Sequence, residues 1–308
     1  MTLPLLWIDA FTTIPYEGNP CAVVLDAEPL DERAMQTIAR EMNLSETAFV
    51  RRSNEADFAV RFFTPAEEIP LAGHPTIAVV KALLETGRIR HGGGTTEIRL
   101  ELRDGPISVR IEAEGAGAGK GAVEITMRQR KPRFQQVYNR AVALPAFGLA
   151  ATDVDGGLPI QTVSTGTPQL MIPVRDHAAL RRAAVDLPRY VALRESGDFF
   201  SPHLFCLQGA TLEGRTFARH FGVPPDTQED PFTGSATGGM AAYLWHHCVL
   251  EEPSFVAEQG HWMGRPGRAR VEVLGPRDDI EAVLVSGTAV MVLRGEIDVD
   301  GAGRSPVT

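Results

Sequence analysis

Two segments of this 308-residue chain align on one another without a gap. Glu68-Ile69-Pro70-Leu71-Ala72-Gly73-His74-Pro75-Thr76 falls on Glu229-Asp230-Pro231-Phe232-Thr233-Gly234-Ser235-Ala236-Thr237, with E-x-P-x-x-G-x-x-T in common. Each copy opens a predicted helix and follows a predicted strand carrying R-x-F, Arg61-Phe62-Phe63 in the first and Arg215-Thr216-Phe217 in the second. A shorter match in the same order pairs Gly18-Asn19-Pro20 with Gly166-Thr167-Pro168, each leading into an apolar strand. Two matches in the same order point to a duplication, so the chain is expected to fold as two similar halves of strands and helices. A common loop-to-helix turn used twice is the plainer alternative at this stage.

The rest of the pattern fits two such halves. Leu5 to Ala10, Ala22 to Leu25, Thr47 to Arg51 and Phe58 to Phe63 are short apolar or alternating runs bounded by turn residues, and read as strands. Asp31 to Met42 has helical spacing with Asp31 as its cap. A second helix is expected from Pro75 to before Gly87, and another from about Ala236 to Val249. Thr96 to Glu112 reads as a hairpin turning at Asp104-Gly105, followed by a strand from Ala122 to Arg128. The polar stretch from Gln129 to Asn139 is the expected crossing between domains, taken as 1–128 and 129–308, with the C-terminal strand able to pack back on the first. Further strands are expected near Gln161 to Val174, His203 to Gln208 and Gly214 to Arg219.

Composition removes several function classes. A net charge of −9 with no basic stripe argues against a nucleic-acid surface. No apolar run reaches the length needed to span a bilayer, and Met1 to Phe11 lacks the charged start of a signal peptide. Cys21, Cys206 and Cys248 form neither a CxxC pair nor a disulfide framework, so a cytoplasmic location is the expectation. Gly115 to Gly121 resembles a phosphate loop but lacks the GK[ST] ending, and reads as a flexible connection between strands. His246-His247-Cys248 suggests a metal, yet adjacent helical residues point in different directions. No metal and no dinucleotide site is expected.

The duplicated turn has a chemical meaning of its own. A helix N-terminus carries unpaired N–H groups and partial positive charge. Gly73 and Gly234 allow a ligand close to the backbone, and His74 and Ser235 stand at the same step, able to cap the helix or donate to a ligand. Two such turns facing one another across a cleft would stabilise a carboxylate or enolate. Glu46, between a helix end and a strand, is a candidate general base because flanking apolar residues can raise a carboxyl pKa. Asp230 beside Glu229 could bind an ammonium group, orient a neighbour or satisfy backbone donors.

In order along nearly the whole chain, these segments resemble the phenazine-biosynthesis PhzF-like isomerases, relatives of diaminopimelate epimerase. The matching motifs are Asp9-Ala10-Phe11-Thr12, Gly18-Asn19-Pro20, Asn43-Leu44-Ser45-Glu46-Thr47-Ala48-Phe49, Arg61-Phe62-Phe63-Thr64-Pro65 and Gly73-His74-Pro75-Thr76. They continue with Ser164-Thr165-Gly166, Glu229-Asp230-Pro231, Thr233 to Gly238, Glu258-Gln259-Gly260 and Met263-Gly264-Arg265-Pro266. The resemblance implies an α+β fold of two pseudo-symmetric domains, each a β-sheet wrapped around a central helix. It implies a homodimer, no cofactor and a small carboxylate-bearing substrate. It also implies Glu46 as the proton-transferring acid/base, His74, Asp230 and Ser235 as supporting polar residues, and Gly73, Gly234, Asn19 and Ser45 as substrate-binding positions. The catalytic cysteines of the epimerase relatives would fall at Ala72 and Thr233, so a thiol pair is excluded and one-base proton transfer is expected. Isomerisation resembling that of trans-2,3-dihydro-3-hydroxyanthranilate is the first reading. Racemisation or tautomerisation of another small metabolite is the second, and a catalytically silent ligand-binding protein the third.

Overall fold

The computed structural model of the protein describes residues 1–113 and 123–302. The glycine-rich run from 115 to 121 lies outside the described residues. The chain divides into two compact units. The first comprises Met1–Met127, Pro224–Thr227 and the chain from Ser286 onward, and the second comprises Arg128–Val223 and Gln228–Val285. The second expected domain therefore gives up its end to the first. The chain's last strand, Ala289–Asp298, runs antiparallel to the first strand, with Thr2 opposite Asp298 and Ala10 opposite Ala289.

The first unit contains β1 (Thr2–Ala10), β2 (Asn19–Val24), α1 (Glu32–Met42), β3 (Thr47–Arg51), β4 (Phe58–Phe63), β5 (Glu68–Ile69), α2 (Gly73–Glu85), β6 (Thr96–Leu102) and β7 (Gly105–Ala113), and β8 (Val123–Gln129) leads out of it. β1 and β2 are antiparallel, β2 and β3 parallel, β3 and β4 antiparallel, and β4 pairs antiparallel with β5 and parallel with β6. Asp31 caps α1 by accepting from the Ala34 N–H at 2.8 Å, as its side chain suits. α2 is buried along almost its whole length and packs on β1, β2 and β3. A helix apolar nearly all round can be stable only as an enclosed core element.

The second unit contains β9 (Arg133–Tyr138), α3 (Arg140–Ala143), β10 (Ile160–Ser164), β11 (Pro168–Pro173), α4 (His177–Arg182), α5 (Leu187–Glu195), β12 (Ser201–Cys206), β13 (Thr216–Phe221), β14 (Glu229–Asp230), α6 (Gly234–His246), β15 (Ser254–Gln259) and β16 (Gly267–Leu274). β10 and β11 are antiparallel, β11 and β12 parallel, β12 and β13 antiparallel, and β13 pairs antiparallel with β14 and parallel with β15. This is the order of pairings of the first unit. α6 is buried from Gly234 to Leu244 and packs on β10, β11 and β16.

Three expectations change. The chain passes from the first unit to the second between Met127 and Arg128, but the polar stretch that follows is not a loop throughout, because Arg133–Tyr138 forms β9 and pairs antiparallel with β10. Only Tyr138 of its six side chains is buried, so it lacks the apolar alternation that marks a half-buried strand. Both buried helices start two residues before their expected first residue, at Gly73 and Gly234. Pro75 is accommodated because an N–H in the first turn has no intrahelical partner to lose.

The third change concerns the repeat. In the first unit Phe63 stands opposite Glu68, and in the second Phe221 stands opposite Glu229. The counterpart of Arg61-Phe62-Phe63 is thus Arg219-His220-Phe221, not Arg215-Thr216-Phe217. Ion pairs fix the same correspondence. Arg61 grips Glu68 with two nitrogens at 2.7 and 2.6 Å, and Arg219 grips Glu229 at 2.8 and 2.7 Å. Among the described residues no helix is long and apolar enough to cross a membrane.

Candidate active site

The first unit gathers four of the expected residues. α1 ends at Asn43, whose left-handed backbone (φ 49°, ψ 40°) turns the chain toward β3 and leaves Glu46 as the last residue before that strand. Asn tolerates this conformation better than most residues. His74 is the second residue of α2 and only 2% exposed. Its Nδ1 lies 3.2 Å from Glu46 Oε2 and 2.9 Å from Asn19 Nδ2. Asn19 is the first residue of β2 and fully buried. Gly73 opens α2 beside His74. Ser45 lies apart from this contact, its hydroxyl 3.3 Å from that of Thr227.

Asn19 Nδ2 can only donate, so at 2.9 Å it makes His74 Nδ1 its acceptor, and Glu46 Oε2 is a close polar neighbour of that same nitrogen. A carboxyl group held within 3.2 Å of a fixed, buried imidazole is an arrangement suited to general acid/base chemistry. Cys21 lies near enough to feel the Glu46 charge. Burial first, and that charge second, hold its thiol well above the usual range, so it stays protonated.

In the second unit Asp230 is 7% exposed and stands opposite His220 across β13 and β14. Its carboxylate accepts a hydrogen bond from the Thr233 hydroxyl. Gln259 donates to the Asp230 carbonyl at 2.7 Å and accepts from the Thr233 N–H at 3.2 Å, tying β15 to the turn. The Gly234 carbonyl receives Gln129 Nε2 at 2.9 Å, and Gln129 in turn accepts from Thr165 at 2.6 Å. Ser235 is the second residue of α6 and nearly buried. Glu229, the acid beside Asp230, is ion-paired with Arg219.

Neither His74 nor Ser235 caps its helix. The N-caps are Ala72 and Thr233, neither of which makes a side-chain capping bond. Every shared letter of the repeat outside the proline and glycine has a structural use. The glutamates pair with arginines, and Thr76 and Thr237 bond back to the carbonyls of Ala72 and Thr233 at 2.7 and 2.9 Å. The polar differences between the copies, Ile69 against Asp230, Ala72 against Thr233 and His74 against Ser235, fall at the positions left over. His246 and His247 turn to different partners, the Arg277 carbonyl and the Gln161 side chain.

Gln129, His220, Ser201 and His203 escape notice in the sequence. His220 would have surfaced had the second R-x-F been placed at Arg219.

A family model described as phenazine biosynthesis-like protein matches residues 8–295. An isomerase of Bacillus subtilis, YfhB, is 32% identical over 93% of this chain and 95% of its own length. The trans-2,3-dihydro-3-hydroxyanthranilate isomerase of Pseudomonas fluorescens is 33% identical over 94% and 97%. The crystal structure of a PhzF family phenazine biosynthesis protein from Bacillus anthracis superposes with a TM-score of 0.84 at 31% identity, covering 96% of this chain and 99% of that one.

Proposed function

The chain belongs to the phenazine biosynthesis-like family of isomerases, and from that premise we propose that it moves a proton between carbons of a small carboxylate-bearing metabolite without a cofactor. Glu46 is the acid/base. It takes a proton from one carbon of the substrate and returns it to another on the same face, so no atom is gained or lost. The observation that carries this reading is the 3.2 Å contact between Glu46 and His74, with Asn19 on the same imidazole nitrogen.

A thiol pair is not part of the scheme, because the two helices begin after Ala72 and Thr233. Gly73 and Gly234 supply backbone donors for the developing negative charge, while Asp230, Ser235, Ser45 and Asn19 bind and orient polar groups of the substrate. The two domains are read as pseudo-symmetric copies, in support of which stand their common order of strand pairings and the repeated arginine–glutamate pairs. A homodimer completes the reading and is checked by light scattering.

The test is proton NMR in D₂O with trans-2,3-dihydro-3-hydroxyanthranilate, the substrate in the name of the Pseudomonas relative. Deuterium is expected at a carbon position with the native protein, and Glu46→Gln is expected to slow its appearance at least about 10²-fold. Undiminished exchange in that variant removes Glu46 from the mechanism. A ligand that binds but never exchanges makes the protein a binding protein.

A further inference from the structure

The corresponding ladders of the two units differ in one respect. In the first, Val23, Ala48, Phe62 and Ile69 lie side by side across β2, β3, β4 and β5. In the second, Met171, His203, His220 and Asp230 occupy these places. Two residues before Ala48 stands Glu46, and two before His203 stands Ser201. Where the first unit has an apolar pair, Phe62 and Ile69, the second has a histidine facing an acid.

That histidine is not isolated. The Ser201 hydroxyl donates to Gln169 Oε1 at 2.7 Å and lies 2.8 Å from His220 Nε2. A hydroxyl has one proton, so a serine that donates to Gln169 can only accept from His220, which must carry hydrogen on Nε2. Its Nδ1 is then an acceptor, filled by the Nδ1–H of His203 at 3.3 Å. All four side chains belong to residues at most 5% exposed. We propose that His220 is a positioning residue for Asp230, held opposite it by this buried chain from Gln169 through Ser201 and His220 to His203.

The inference rests on the reading that Asp230 belongs to the active site. The titratable groups facing His220 are His203 on β12 and Asp230 on β14, and the other members of the chain are uncharged. Burial lowers the His220 pKa to about 4, against the pull of Asp230, so the ring is neutral at physiological pH. A neutral ring with both nitrogens engaged cannot turn without breaking a buried hydrogen bond. It therefore fixes one wall of the space that the Asp230 carboxylate occupies.

The first measurements need no substrate. Long-range ¹⁵N–¹H NMR of ¹⁵N-histidine-labelled protein at neutral pH is expected to find His220 protonated at Nε2 and His203 at Nδ1, and the opposite tautomer at His220 overturns the chain. Three-bond side-chain couplings of Asp230 are expected to report one fixed χ1 rotamer in the native protein and averaging between rotamers in His220→Phe, the residue type at the matching position of the first unit. His220→Gln, whose amide offers one donor and one acceptor, is expected to restore the single rotamer. An unaltered rotamer in His220→Phe overturns the positioning role. If that variant does not fold, Ser201→Ala serves in its place, with mixed His220 tautomers and an averaged Asp230 rotamer expected and native values for both decisive against.

These results hold even if trans-2,3-dihydro-3-hydroxyanthranilate never exchanges, which would count against the proposed reaction alone. Where exchange occurs, His220→Phe is expected to lower kcat/KM about tenfold, with most of it recovered in His220→Gln. Equal losses in both variants, or none in either, overturn the proposal.

Discussion

His74 Nδ1 lies 3.2 Å from Glu46 Oε2, joining the first turn of α2 to the residue that precedes β3. The two residues are far apart in sequence, and the fold brings a carboxylate and an imidazole together where a substrate proton could be handled.

His74→Ala is expected to slow deuterium exchange into the substrate about 10²-fold, and Asn19→Ala about tenfold, because Asn19 holds the ring and orients the substrate without moving the proton itself. Exchange in D₂O followed by NMR measures both. A His74→Ala protein that exchanges as fast as the native one separates the imidazole from the chemistry.

Gly18 is placed to orient Asn19. Its φ is +60°, and a Cβ there would run into the Ala10 carbonyl and the Thr12 side chain. Gly18→Ala is expected to cost about 1–3 kcal/mol of stability through backbone strain, read by urea denaturation, and to lower exchange as Asn19→Ala does. An alanine variant with native stability and native exchange contradicts this account.

The cysteines are expected to divide by environment. Cys248 is exposed, whereas Cys21 and Cys206 are buried. Burial pushes the Cys206 thiol up to about 11 and holds Cys21 high as well. Iodoacetamide at mildly alkaline pH should therefore label Cys248 alone, by peptide mass spectrometry, and the labelled protein should keep its exchange activity. Loss of activity on labelling Cys248 would place a thiol in the mechanism after all.

Stability is expected to fall as the solution is acidified. His220 titrates at about 4 in the folded chain against 6.5 when unfolded, and burial holds His203 well below the usual histidine range as well. A depressed histidine pKa means that the unfolded chain binds protons the folded chain refuses. The contribution is whole above about pH 6.5 and is lost as the pH falls toward 4, at up to about 1.4 kcal/mol per pH unit for each group. Urea midpoints at pH 7 and pH 5 measure the slope, and His220→Gln should flatten it. A slope unchanged in that variant would assign it to other groups.

Much of the architecture was legible because local rules and burial agree. β3 and β4 occupy the expected residues, and α1 runs from its Asp31 cap. β9 was illegible because only its last side chain, Tyr138, is buried, which leaves no alternating apolar face to read. The last strand could be read as a strand, but which unit it joins depends on its ladder with β1, a pairing between the two ends of the chain.

The site divides in the same way. The amino-acid sequence by itself determined the repeat, and with it the two glycine turns, the places of His74 and Ser235, and the absence of thiols at Ala72 and Thr233. The tertiary structure decided which polar groups meet: His74 with Glu46 and Asn19, Asp230 with Thr233, and His220 with Ser201 and His203. Strand register made those choices. A shift of two residues along β13 would exchange Arg219 for another residue opposite Leu204 and carry His220 away from Asp230. Register follows from the packing of whole strands and from ion pairs such as Arg219 with Glu229, neither of which a nine-residue motif contains.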